Sequence, residues 1–148
     1  MREKVDFGFT GSQYALPQVQ IDGLVRAMKS VAEGYKDHQI RWHHGDCINA
    51  DETSHHIARE LGFHIISHPP SDESKRAFTV ADEVRDPKPY MERNEDIALE
   101  SEQGVIAAPR QHFEVVRSGT WSTVRRARKL DRPVLFVWPD GDLEWEVR

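Results

Sequence analysis

The chain has 148 residues, of which 38% are hydrophobic and 30% charged, with four Trp and six Phe. That composition excludes a disordered chain and suits one domain able to bury roughly two thirds of its unfolded surface. The formal net charge of −5 disfavours a general nucleic-acid-binding surface, although a small anionic ligand answers to local rather than net charge. No apolar run is long enough to span a bilayer, the N-terminus MREKVDFGF carries no signal-peptide pattern, and the single cysteine, Cys47, has no intrachain partner. A cytoplasmic protein in a reducing compartment is therefore expected, with no membrane partner.

Residues 5–9 (VDFGF) form the first expected strand, which runs into the small-residue turn Thr10-Gly11-Ser12. Pro17 suits the first turn of a helix in which Ile21, Leu24, Val25, Met28, Val31 and Ala32 recur at helical spacing. Residues 39–44 read as the second strand and end at Gly45-Asp46. Asn49 or Asp51 is placed to cap the next helix, where Ile57, Ala58 and Leu61 face inward and Gly62 stops the run. Residues 63–67 are the third strand, whereas the polar stretch 71–89 has no period of either kind and reads as a long loop or lid. A helix over 90–99, a strand over 104–108 and a loop over 110–116 follow.

Residues 117–139, RSGTWSTVRRARKLDRPVLFVWP, are the most informative stretch: a small-residue turn, a helix, then an almost unbroken apolar run at 133–137. Such a run suits a strand covered on both faces of a parallel sheet. A Pro-Asp-Gly turn at 139–141 then sends residues 143–147 back as an antiparallel edge strand. This order predicts a single α/β domain: a Rossmann-like, doubly wound, mostly parallel sheet with helices on both faces and a C-terminal β-hairpin.

Ligands of such sheets bind beyond the carboxyl ends of the strands, where the strand order reverses. Three turns fall there. Ser118, Gly119 and Thr120 open a helix, so their N–H groups and two hydroxyls meet the positive end of the helix dipole and suit a phosphate. Thr10, Gly11 and Ser12 form the second turn and are either further ligand contacts or a tight strand-to-helix connection. Gly45 and Asp46 lie in the third, with Asp46 either touching a ribose or base or bracing its own loop. Trp121 begins the apolar stripe of its helix and is also placed to stack on a base. The run from Arg125 to Lys129 reads as a solvated helix face.

Seven of the eight histidines lie between His38 and His68, which suggests a metal, but their spacing does not. His55 and His56 are adjacent rather than one helical turn apart, His43 and His44 project to opposite faces of a strand, and only His64 and His68 share a face. No metal site and no resident cofactor is expected. Cys47 reads as a packed thiol rather than a nucleophile, because no partner base is defined.

The run HGDCINADETSHHIARELGF at 44–63 resembles the glycine-acidic turn and helix of the SLOG superfamily, the Rossmann-like group that contains DprA-like proteins and cytokinin-activating LOG proteins. The likeness extends to Arg93-Asn94 in MERNEDIA, to GVIAAP at 104–109 and to SGTWSTVRRARKLDRPV at 118–134. It leaves only 71–89 and the C-terminal hairpin unplaced. The resemblance implies a site for a nucleotide or a nucleotide derivative, with phosphate on Ser118, Gly119 and Thr120, and with Arg93 and Asn94 entering the same cleft. It also implies a homodimer or higher homo-oligomer.

One departure separates this chain from the LOG enzymes. Their Gly-Gly-x-Gly-Thr-x-x-Glu signature ends in a catalytic glutamate, and here the matching residue is Thr123. A threonine supplies neither a carboxylate base nor a negative charge for an oxocarbenium-like transition state. The sequence therefore favours a protein that senses or sequesters a phosphorylated nucleotide or nucleotide-derived signal, such as an ADP-ribose-like or cyclic nucleotide. The alternative is an N-glycosidic hydrolase or transferase acting on nucleoside monophosphates through Asp46, Asp51 or Glu95. A DNA-handling protein is the third reading, and the acidic balance disfavours it.

Overall fold

Side chains alternate across a strand, so a strand that is apolar at both parities must be covered on both faces. The computed structural model, which describes residues 2–146, meets that requirement with four helices around one sheet. The order is β1 (Lys4–Gly11), α1 (Gln18–Gly34), β2 (Gln39–His44), α2 (Ala50–Glu60), β3 (His64–Ser67), β4 (Glu83–Val84), α3 (Tyr90–Glu100), β5 (Gly104–Ala108), α4 (Gly119–Lys129), β6 (Val134–Val137) and β7 (Leu143–Trp145). The strands line up as β4-β3-β2-β1-β5-β6-β7. Every pair is parallel except β6 with β7.

The two parities feed two separate cores. Phe7 and Phe9 of β1, Ile40 and Trp42 of β2, Ile106 of β5 and Leu135 of β6 pack with Leu24, Met28 and Val31 of α1 and with Ala50 and Ala58 of α2. On the other face Val105, Ala107, Val134 and Phe136 pack with Ala98 of α3 and with Trp121, Val124 and Ala127 of α4. Trp42 is fully buried between Phe9 and Phe63, and its indole N–H donates to Ser54 Oγ at 3.1 Å. Polarity is thus satisfied without opening the core.

Three differences from the sequence reading have local causes. β1 continues through Thr10 and Gly11 because these residues pair with Ala107 and Ala108 of β5, so they are the end of a strand rather than a free turn. The segment 71–89 contains a strand: β4 pairs with the edge of β3, Ile66 opposite Glu83 and Ser67 opposite Val84. Two residues are too few to show alternation in sequence, and both are exposed. The C-terminal strand pairs through Trp145, whereas Val147, expected within it, lies outside the described residues.

From β1 the chain builds outward through β2, β3 and β4, and then crosses back by α3 to place β5 on the opposite side of β1. The reversal between β1 and β5 leaves a crevice at their carboxyl ends.

Candidate functional site at the strand reversal

The crevice is a cavity of about 700 Å³. Its floor is the end of β1, with Phe9, Thr10, Gly11 and Ser12, where Ser12 N–H donates to Ala108 O at 3.3 Å and holds the strand end in place. One wall is Gly45, Cys47 and Asp51 at the start of α2, and another is Tyr90, Arg93 and Asn94 in the first turns of α3. The third wall is the N-terminus of α4, with Ser118, Gly119, Thr120 and Ser122. The loop before it, through Arg110, Gln111 and Val115 to Arg117, completes the lining.

Most of the residues expected at the site are therefore brought together: Thr10, Gly11, Ser12, Gly45, Arg93, Asn94, Ser118, Gly119 and Thr120 all line the cavity. At α4 the Ser118 hydroxyl accepts from Trp121 N–H at 3.3 Å and caps the helix. A Cβ added to Gly119 would meet nothing within 4 Å, so the backbone at the helix start faces open space. That end presents free N–H groups to the cavity.

Two expected residues are directed elsewhere. Asp46 is fully buried and absent from the lining; its carboxylate accepts from Arg76 Nε at 2.8 Å and from Thr79 N–H and Oγ1 at 3.0 and 2.6 Å. Burial opposes its ionisation, yet the bonds from Thr79 and Arg76 outweigh that penalty and hold the carboxyl below its usual value. Asp46 thus braces residues 76–79 against its own turn, and Ala77 N–H donates to its carbonyl at 2.8 Å. Trp121 likewise lies outside the lining, with its ring 5.3 Å from that of Phe136, because its place in the α4 stripe turns it into the second core.

The segment 71–89 is also not part of the lining. It is laced to the sheet edge by β4, and Arg59 and Ile65 N–H both hold Asp82, at 3.0 and 2.8 Å. The loop that does line the cavity is 110–117, through Arg110, Gln111 and Val115 to Arg117. This loop is tied down by Arg125, which donates to Val116 O at 2.8 Å, and by Arg110 over the Tyr14 ring at 3.7 Å.

Of the three carboxylates considered for catalysis, only Asp51 reaches the cavity; Glu95 lies outside it, exposed and paired with Arg126 at 3.0 Å. Asp51 is 7% exposed and accepts from Cys47 N–H at 3.1 Å. Burial pushes its carboxyl up to about 6, against the opposing pull of the Arg93 charge. Burial also pushes the Cys47 thiol up to about 11, so it is a neutral thiol rather than a nucleophile at neutral pH. At the position that matches the LOG glutamate, Thr123 is fully buried and bonds back to Gly119 O at 3.3 Å.

Arg93 is held rather than free. Its guanidinium donates to Gly45 O and to His68 O, the latter at 3.1 Å, while its Nε donates to Asn94 Oδ1 at 2.9 Å. A Cβ on Gly45 would fall 2.2 Å from Arg93 Nη1, so a glycine is the residue that admits this approach. Arg93 is one of five arginines in the lining, with Arg110, Arg117, Arg125 and Arg126, against the single carboxylate Asp51. A chain with a net charge of −5 thus gathers guanidinium groups at one concave place, where Arg125 and Arg126 are shared with Glu114 and Glu95 outside the lining, at 3.0 Å each.

Arg125 and Arg126 are the residues that the sequence reading missed by assigning the whole basic run to solvent. The signal was present: Ser118, Ser122, Arg125 and Arg126 stand at i, i+4, i+7 and i+8, one face of a helix. The histidines lie off the cavity. His43 meets His68 on one face of the sheet, and His44 meets His55 of α2 on the other.

The strand order and the placement of the cavity define a Rossmann-like α/β protein whose candidate ligand site sits at the strand reversal. No family model and no curated protein matches the chain. Among solved structures it is similar to the structural-genomics target TM1055, with 15% identity, a TM-score of 0.64, and 88% of this chain and 72% of that chain covered. It is also similar to DNA processing protein A from Helicobacter pylori, whose structure concerns single-stranded DNA binding, with 15% identity, a TM-score of 0.58, and 89% and 64% covered. At that identity the likeness is one of fold alone, a Rossmann-like α/β fold. Among the described residues no helix is long and apolar enough to cross a membrane.

Proposed function

We propose that this protein binds a phosphorylated nucleotide or a nucleotide-derived small molecule, as a sensor or a sequestering protein. The observation that carries the reading is the N-terminus of α4 opening into a cavity of about 700 Å³ lined by five arginines and one carboxylate. That volume falls in the range of small-molecule sites. Phosphate would sit on Ser118, Gly119 and Thr120, where the helix dipole and unpaired N–H groups favour an anion. Ser122, Arg125 and Arg126 would extend the contact along the same helix face, and Arg93 with Asn94 would meet a second polar group across the cavity. Tyr14 and Tyr90, which also line it, offer faces for a base or ribose. A homodimer is proposed from the family resemblance.

A second reading, N-glycosidic hydrolysis or transfer on a nucleoside monophosphate, is favoured by one feature. Asp51 is a buried carboxylate inside the cavity with its ionisation displaced to about pH 6, the range in which a general acid or base works well. The third reading takes its prompt from the single-stranded DNA binding of the H. pylori structure, and the charge of −5 opposes it.

The purified protein would be incubated with AMP, ADP, ADP-ribose and cyclic nucleotides, its thermal shift measured, and the small molecules recovered for mass analysis. A raised Tm with the ligand recovered intact supports binding, and Gly119→Asp, which places a carboxylate where the phosphate would sit, is expected to abolish the shift. Release of free base that Asp51→Asn abolishes supports the second reading. A salt-sensitive gel shift with single-stranded DNA supports the third. If no phosphorylated nucleotide raises Tm, the leading reading is wrong.

A further inference from the structure

On the sheet face opposite α1 and α2, outside the cavity, three side chains from distant parts of the sequence converge. His43 at the end of β2, His68 just after β3 and Glu100 at the last turn of α3 offer atoms that all lie within 4.8 Å of one another. His43 Nδ1 and His68 Nε2 are 2.9 Å apart, and His68 Nε2 is 3.8 Å from Glu100 Oε2. The two imidazoles are 1% and 2% exposed. We propose that His43, His68 and Glu100 bind one divalent transition-metal ion of the zinc type, with water in the fourth position.

Four observations carry this. Two tetrahedral ligands at about 2.0–2.1 Å from a metal stand roughly 3.3 Å apart, so accommodating the ion requires the imidazole nitrogens to part by a few tenths of an ångström and the two rings, whose centroids are 5.1 Å apart, to turn toward it. His43 is already oriented: its Nε2 lies 2.7 Å from Asp6 Oδ1, the carboxylate-histidine arrangement that fixes the tautomer and aims the other nitrogen at a metal. With His43 protonated on Nε2, the present contact is a donation from His68 Nε2–H to His43 Nδ1. The metal replaces that one proton, which moves to His68 Nδ1, and both facing nitrogens become ligands. Finally, Arg85 is held mainly by the Glu100 oxygen that faces away from His68. Its shortest bond, 2.7 Å, goes to Glu100 Oε1, while Oε2, the oxygen that faces His68, accepts only a longer contact from Arg85 Nε at 3.3 Å, which the metal would replace.

Asp6, Glu83 and Glu100 are matched in number by Arg41, Arg85 and Arg93 around the cluster, so the dication is drawn by the Glu100 carboxylate at its ligand atoms rather than by a net local charge. The sequence concealed the site because its ligands stand 25 and 32 residues apart, and register alone brings His43 and His68 together. A bound ion would tie β2 and the end of β3 to α3, the helix that carries Arg93 and Asn94 into the cavity.

The test is equilibrium dialysis of the chelator-treated full chain against Zn²⁺, with Co²⁺ as a spectroscopic probe. One ion per chain is expected, with a rise in Tm and the intense visible absorption of a four-coordinate Co²⁺ site. His43→Gln is expected to abolish binding. Glu100→Gln, at a half-buried position, is expected to weaken it at least about tenfold, and Asp6→Asn about tenfold through the lost orientation of His43. His56→Ala, on the exposed side of α2, is expected to bind like the wild type. A wild-type chain that does not saturate at one ion, or Glu100→Gln binding as tightly as wild type, overturns the proposal.

Discussion

Two small-residue turns stand at the same edge of the sheet, and they differ in what they have left to offer. At Gly45-Asp46 every polar group is engaged inside the protein: the Asp46 carboxylate holds Arg76 and Thr79, and the Gly45 carbonyl accepts from Arg93. At Ser118-Gly119 the carbonyls and the serine hydroxyl are used within α4, while the backbone of Gly119 at the helix start faces open space. The first turn builds the wall and the second opens into the cavity. A polar turn in the right place is a binding site only if the fold has not already satisfied it.

Substitutions can break this contrast. The largest effect is expected at Gly45→Ala, where the added methyl would strike Arg93 Nη1 at 2.2 Å. It should cost about 3–4 kcal/mol in denaturant unfolding, or leave the chain insoluble, because Arg93 is buried and cannot be displaced without losing its carbonyl partners. Asp46→Asn removes the charge that Arg76 and Thr79 share and should cost about 2–3 kcal/mol. If ligand affinity in the folded fraction falls as well, the assignment of Asp46 to bracing rather than contact is wrong.

Asp51 sharpens the comparison through pH. Its folded value, about 6, lies above the 3.8 of an unperturbed aspartate. Below about pH 4 it is protonated in both states and adds nothing. Between about 4 and 6 the unfolded chain ionises first, so stability falls as pH rises, and the penalty, on the order of 2–3 kcal/mol, is complete above about 6. Asp51→Asn should flatten that part of the pH-stability curve and raise Tm at pH 7; an unchanged curve would show that Asp51 titrates normally. Smaller effects belong to the open turn. Gly119→Asp adds a carboxylate to the first turn of α4 and should leave unfolding stability within about 1 kcal/mol, rising if anything, while anion binding disappears. Glu95→Gln, an exposed partner of Arg126, should change stability by under about 0.5 kcal/mol.

The element order was legible because parallel strands covered on both faces leave apolar runs such as VLFV at 134–137, and helices leave stripes such as Leu24, Met28 and Val31. The cavity lining was legible where position along the chain fixes position in space: strand ends at Thr10 to Ser12, the helix start at Ser118 to Thr120. Arg93 and Asn94 came from resemblance alone. Where a residue had two plausible directions, the sequence did not choose. Trp121 went to the core, Asp46 to its own loop, and Arg125 and Arg126 to the cavity.

Local chemistry, then, determined the elements, the order that makes a doubly wound sheet and the turn with the best anion geometry, because periodicity, capping and turn formation act over a few residues. Tertiary structure alone decided which donors were already engaged, that residues of 110–117 rather than 71–89 line the cavity, and that His43 meets His68. Those outcomes depend on strand register and helix rotation, which bring together groups far apart in the chain, and no local pattern encodes them.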